Sequence, residues 1–401
     1  MNFLTKNLKK ENNIIKFLIF FSTIIVVFNF SQFVFERSLS QYSDWLINYQ
    51  GGFVRRGLAG EVFFKIFQIT NIPLDIVILI FVSFFYILFA VFLAKIIEPI
   101  KLNSLNWFII FSPFSFLYPV MEQKVSGRKD ILFLCVMSFL AVLLNKIKFN
   151  QQKFIIILSI AIVTLSHSGF FIYVPFIFLI YLLTNYRVKL KNLLIDSFII
   201  VLATIFLFLI TILNSNIDSI AVKKICESIS VFYLENCGTN DYISTLSWTL
   251  EYEISLLDKL WNKENYILFY SLAFILSFLP LIYALINSKF KNKNFKNISP
   301  FLIFVVLNII TFPIYYIGAD YGRYMYITYV STLIIYFKAL STKLIIINQN
   351  YFESLKLKSK KYIFIILIFL YSFTWTVPHC CNNKFKLIYK KPFDELIENL
   401  Y

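Results

Sequence analysis

The 401-residue sequence is 59% hydrophobic, 19% aromatic and only 15% charged, with a mean hydropathy of +0.73. Soluble domains carry about 25% charged residues, so these proportions exclude a water-soluble globular chain and make a bilayer the solvent for most of it. The formal charge of +16 is accounted for below by lysines at membrane edges, with no nucleic-acid partner required.

Long apolar runs without polar alternation predict helices and not a barrel, because backbone groups in lipid need partners within their own segment. A crossing takes roughly 20 residues. About eleven segments are candidates, the fourth, fifth and sixth of them short, with 154–185 readable as two spans joined by a tight turn: 15–33, 72–94, 104–121, 131–145, 154–166, 169–185, 193–213, 265–287, 298–317, 324–340 and 362–378. The expected fold is an all-α polytopic transmembrane helical bundle, a single transmembrane domain over 1–401. Its outer loops 34–71 and 214–264 are expected to carry short amphipathic or re-entrant helices.

The first segment follows Lys6, Lys9, Lys10 and Lys16 and has no small-x-small cleavage site after it, so it reads as an anchor with the N-terminus inside. Alternation then places the lysine-rich connections inside: Lys95/Lys101, Lys146/Lys148/Lys153, Arg187/Lys189/Lys191, Lys289 to Lys296, and Lys343 to Lys361. Inner segments hold 22 basic and 4 acidic residues against 16 and 18 outside, which satisfies the positive-inside rule. All nine glycines and both histidines fall in or beside outer segments. So do five of the six arginines, Arg37, Arg55, Arg56, Arg128 and Arg323. The inner loops read as connectors and the outer loops as a built surface.

Four outer clusters can carry chemistry. In the first outer loop, Asp44 is placed to act as a base or to hold a sugar hydroxyl, and Trp45 and Tyr49 to stack on a sugar. Gly51-Gly52 permits a sharp turn aiming Arg55 and Arg56 at a phosphate. The structural alternative is interfacial anchoring by Trp, Tyr and Arg. The second cluster, Glu122 with Arg128, Lys129 and Asp130, is either a phosphate-binding loop or a solvated hairpin. His167 lies at a membrane edge, where an ionisable group is costly and marks a functional cavity or a satisfied structural residue. The fourth, Asp320-Tyr-Gly-Arg323, is an ion pair or a second phosphate clamp.

Cys226 and Cys237 share the largest outer loop and can bond in an oxidising compartment. The cysteines show no metal-ligand spacing, Cys380-Cys381 being adjacent. Phosphate-binding Gly-rich loops and G-x-S-x-G are absent from the sequence, which disfavours a nucleotide-driven pump.

The basic N-terminus, about eleven spans, Asp44 in the first outer loop and the charged outer loops together resemble the GT-C class of membrane glycosyltransferases, and also the Wzy- and EpsG-like polymerases of surface polysaccharides. The resemblance covers the whole chain at the level of topology. It implies a membrane-lipid environment, a polyprenyl-phosphate-linked sugar as donor, and the plasma (inner) membrane of a bacterium. It further implies Asp44 as the group that engages the acceptor, and His167 with the outer arginines as the set that handles a lipid pyrophosphate. Together with the four clusters this makes Asp44 and His167 the candidate catalytic groups, and Trp45, Tyr49, Arg55, Arg56, Glu122, Arg128, Lys129, Asp320 and Arg323 the candidate substrate-binding groups. The paired acidic signature of many GT-C enzymes is missing here, so no cofactor is required by the sequence and a divalent metal stays open. Two rival classes are a multi-pass transporter or lipid flippase and a non-catalytic assembly subunit. A transporter would be expected to show internal repeats and mid-membrane ionisable residues, whereas here such residues gather at one edge.

Overall fold

The computed structural model describes residues 2–36, 39–214, 218–230, 237, 242–263, 265–291, 297–347, 361–381 and 386–387. Arg37, Gly238 and the loop lysines at 293, 296, 356, 358 and 360 lie outside them. The described residues are mostly α-helical. In chain order the first helices are α1 (Asn2–Phe35), α2 (Leu39–Leu46), α3 (Leu58–Thr70), α4 (Leu74–Ile97), α5 (Ser104–Ile110), α6 (Tyr118–Met121) and α7 (Asp130–Leu143). Then come α8 (Phe149–Ser166), α9 (Val174–Thr184), α10 (Leu190–Leu213), α11 (Ser219–Ser228), α12 (Leu250–Trp261), α13 (Tyr266–Ile286), α14 (Pro300–Thr311), α15 (Tyr321–Ser341) and α16 (Lys361–Phe373). Strand β1 (Ser288–Phe290) pairs antiparallel with β2 (Ile345–Ile347), and β3 (Trp375–Thr376) with β4 (Lys386–Leu387).

Among the described residues, five helices are long and apolar enough to cross a membrane: Asn12–Phe35 of α1, then α4, α8, α10 and α13. Their outward faces are greasy. On α10 the side chains of Leu190, Leu194, Phe198, Phe206 and Leu213 stand exposed, Leu213 by 81%. Apolar exposure of this extent is unstable in water and is compatible with a multi-pass membrane protein.

The remaining apolar segments take other forms. Segment 104–121 is broken into α5 and α6 with a turn through Ser112 and Pro113 between them. Two prolines explain this, since each lacks an N–H and Pro119 is accommodated in the first turn of α6. Segment 131–145 forms the 14-residue α7, most of whose side chains are buried. Segments 169–185 and 298–317 each combine a 3₁₀ turn with a short α-helix, and α16 ends at Phe373. Segment 324–340 lies in α15, buried along almost its whole length, Arg323 and Lys338 included. In the 214–264 loop, where short helices are expected, α11 is followed by a 3₁₀ turn at Ser244–Ser247 and by α12 from Leu250. Cys226 and Cys237 are joined by a disulfide.

The chain divides into two compact units. Unit 1 comprises Met1–Ser22, Ile97–Val125 and Ile254–Tyr401, and unit 2 comprises Thr23–Ile96 and Ser126–Glu253. In unit 2, α8 packs against both α10 and α3, α7 against α9, and α2 against α3. Lys153 bonds Asp196 at 2.9 Å and Asn185 donates to Gln152 at 2.6 Å, so α8 and α10 begin at the end where α9 finishes. In unit 1, α13 packs on α5, α14 and α15. Buried hydroxyls lock this core: Ser112 donates to Ser277 O at 2.9 Å and Tyr329 to Ile109 O at 2.7 Å. Such bonds satisfy polar groups that lipid could not.

Candidate functional site

The residues singled out from sequence fall into two groups, one in each unit. Unit 2 holds Asp44, Trp45, Tyr49, Arg55, Arg56, Arg128, Lys129 and His167; unit 1 holds Glu122, Asp320 and Arg323.

The unit 2 group centres on the loop between α2 and α3. Its shape depends on glycine. Gly52 sits at φ +109°, a conformation open to glycine, and a Cβ on Gly51 would lie 2.3 Å from Ala221 O. The loop is thereby pressed onto α11, the helix carrying Cys226, and Asn48 adds a 3.0 Å hydrogen bond to Ser228. Tyr242 N–H donates to Ser43, and Arg55 donates to Thr245 O at 2.9 Å. The first outer loop and the disulfide-bearing loop thus share one surface of unit 2.

Asp44 and Lys129 form an ion pair at 3.5 Å with side chains 1% and 0% exposed. The Lys129 ammonium also donates to Arg56 O at 3.0 Å and lies 5.9 Å from the centre of the Trp45 ring. Trp45 is buried and donates its indole N–H to Gly127 O. In this structure its ring faces the core, among Phe63 and Phe85. Arg128, also buried, stacks its guanidinium over Tyr242, 4.2 Å from the ring centroid.

Arg55, Arg56 and Tyr49 are set differently. Arg55 lies 3.7 Å from Glu253. Burial, with Arg56 beside it, brings the Arg55 guanidinium down to about 10 despite the pull of Glu253. Tyr49 stacks on Phe53, and burial together with the Glu61 carboxylate pushes its phenol up to about 12. Three buried polar atoms in this loop, Arg55 Nε, Arg56 Nε and the Tyr49 hydroxyl, have no hydrogen-bond partner among the described residues. All three are donors, and a buried donor left unmatched is expensive.

His167 caps the C-terminus of α8. Its Nδ1 accepts the Gly169 N–H at 3.2 Å and its ring packs on Phe170. The neutral ring therefore carries its proton on Nε2.

The unit 1 group is larger than the sequence motifs indicated. Asp320 precedes α15 and pairs through Oδ2 with Arg323 at 2.9 Å. Glu122, at the end of α6 and 1% exposed, places Oε1 3.2 Å from His379 Nδ1. His379 Nε2 in turn lies 3.4 Å from Cys380 Sγ. Asp320, His379 and Cys380 bring their donor atoms within 4.8 Å of one another.

The segment carrying His379 is strapped down at many points. Tyr118 bonds Val377 O, Tyr270 bonds Pro378 O, and Gly322 N–H donates to His379 O at 3.0 Å. A Cβ on Gly322 would lie 2.3 Å from Pro378 O, which fixes glycine there. Lys263 donates to Cys381 O, and Cys381 takes a left-handed backbone at φ 66°. The Cys381 thiol is held below its usual range, first by its hydrogen bond with Cys380.

No family model matches the sequence, and no curated protein or solved structure matches the chain.

Proposed function

We propose that the chain is a multi-pass membrane glycosyltransferase or polysaccharide polymerase, with about eleven segments entering or crossing the bilayer and the N-terminus inside. It takes a sugar from a polyprenyl-phosphate carrier on the outer face. The observation that carries this reading is the trio of unmatched buried donors on Tyr49, Arg55 and Arg56. A lipid-linked phosphate or pyrophosphate supplies the acceptor oxygens that such donors lack, and arginine binds them through a planar fork. As the carrier leaves, negative charge grows on its phosphate, and fixed guanidinium charge stabilises it. Asp44, next to this loop and 3.5 Å from the Lys129 ammonium, is the candidate base for the acceptor hydroxyl. The disulfide on the neighbouring loop supports an oxidising, outer location for this surface.

The test is complementation of cells lacking the native gene, with glycolipid or polymer as the readout. Arg55→Lys and Arg56→Lys keep the charge and lose the fork. Each is expected to lower product by about 10-fold or more, as when one charge-stabilising donor is removed, at unchanged protein abundance. Normal product from both variants would favour interfacial anchoring instead.

A further inference from the structure

We propose that Asp320, His379 and Cys380 form a coordination site for a zinc-like divalent metal ion, with Glu122 as the residue that orients His379. The inference stands on unit 1 residues alone and does not depend on the glycosyl-transfer reading.

The donor set is the first argument. One imidazole nitrogen, one thiol sulfur and one carboxylate oxygen lie mutually within 4.8 Å. Nitrogen and sulfur together suit zinc and its late first-row neighbours, while magnesium and calcium favour oxygen alone. Tetrahedral zinc holds its ligand atoms roughly 3.3–3.8 Å apart. The 3.4 Å between His379 Nε2 and Cys380 Sγ already meets that spacing, and the Asp320 carboxylate oxygen lies within 4.8 Å of both.

The second argument is the opposite side of the imidazole ring. A ligating histidine normally donates its other N–H to a carboxylate, which fixes the tautomer and turns the lone pair toward the metal. Glu122 Oε1, withdrawn from solvent, lies 3.2 Å from His379 Nδ1. With Nδ1 protonated and donating to Glu122, the Nε2 lone pair faces Cys380. An ordinary surface ion pair between histidine and glutamate would need neither a thiol on the far nitrogen nor a buried carboxylate.

Third, the site is rigidly supported. The backbone on either side of His379 is pinned by Tyr118, Tyr270, Gly322 and Lys263, while Arg323 holds one oxygen of Asp320. Preset ligands reduce the ordering cost of binding. Three protein ligands leave a fourth position for water or substrate, the pattern of an open zinc site. On binding, the metal takes the place of the proton of the Cys380 thiol, and one proton is released to solvent.

The experiment uses the full chain, purified in detergent under reducing conditions, with Co²⁺ and Zn²⁺ as probes. One Co²⁺ per chain should bind, with the visible absorption of a tetrahedral site and a sulfur-to-metal charge-transfer band, and Zn²⁺ should displace it. Cys380→Ser should abolish the charge-transfer band, and His379→Ala should weaken binding by more than about 100-fold, beyond the effect of losing an outer-shell partner. Glu122→Gln should weaken it about 10–100-fold with the spectrum preserved. Cys381→Ser should bind normally. Native mass spectrometry of the unmutated chain checks stoichiometry independently of how the variants fold. Folded wild-type protein that binds no Co²⁺ would overturn the proposal. So would a spectrum unchanged by Cys380→Ser, or a Cys380–Cys381 disulfide recovered from native membranes.

Discussion

Asp44 and Lys129 are withdrawn from water and face each other at 3.5 Å. Removing one member of a buried pair leaves an uncompensated charge, at a cost of about 3–5 kcal/mol, whereas replacing both is often neutral. Asp44→Asn is therefore expected to lower thermal stability in detergent strongly, and Asp44→Asn with Lys129→Met to recover most of the loss. Equal stability of the single and double variants would show that the pair holds nothing. If the restored double variant still makes no product in the complementation assay, Asp44 or Lys129 has a chemical role separate from the structural one of the pair. Both residues were legible as polar groups between apolar segments, but their meeting was not, because an ion pair between distant segments leaves no spacing in the sequence. His379 shows the same limit: its place just beyond an apolar segment was readable, its bond to Glu122, 257 residues away, was not. The signal present was the coincidence of His379 with Cys380 just after an apolar segment.

The longest apolar runs announced helices correctly, since α4 and α10 have no competing signal along 24 residues each. Reading was poorer where apolar count and backbone chemistry conflicted. Segment 104–121 is apolar enough to suggest one span, yet Pro113 and Pro119 divide it into α5 and α6. In α15, tyrosines, threonines and charges dilute the hydropathy of a helix that is buried on nearly all sides. Element packing also sets a sharp requirement at α3. A Cβ on Gly60 would lie 1.9 Å from Ile47 O and 2.8 Å from Trp45 O, and backbone cannot step aside as a side chain can. Gly60→Ala is thus expected to destabilise unit 2 by about 3 kcal/mol, the upper range for overpacking, and to lower its unfolding temperature. An unchanged melting curve would contradict the close approach of α3 to the loop before it.

At the scale of the molecule, the placement of lysines along the sequence carries an expectation about sidedness that labelling can check. Phe53 is exposed on the loop between α2 and α3, and Lys189 is exposed just before α10. In intact cells expressing a background with both Cys380→Ser and Cys381→Ser, which removes the two free thiols that are not buried, a membrane-impermeant maleimide should label Phe53→Cys and leave Lys189→Cys unlabelled until the cells are opened. The reverse pattern would invert the topology and move the Arg55–Arg56 loop inside. The sequence supported this reading because the charge bias is repeated at each short inner loop. It could not reveal the division into two units, which depends on tertiary contacts.

That division dictates an order of assembly during synthesis. Unit 1 begins with Met1–Ser22, yet its last portion starts only at Ile254, after both segments of unit 2 have been made. A ribosome that has reached Glu253 has delivered every part of unit 2 and only two pieces of unit 1. Domains generally fold as units while the chain emerges, so unit 2 can be complete while unit 1 still waits. Glu122 is then made long before His379, its partner 257 residues later in the chain, and the two can meet only once the last portion of unit 1 has been delivered.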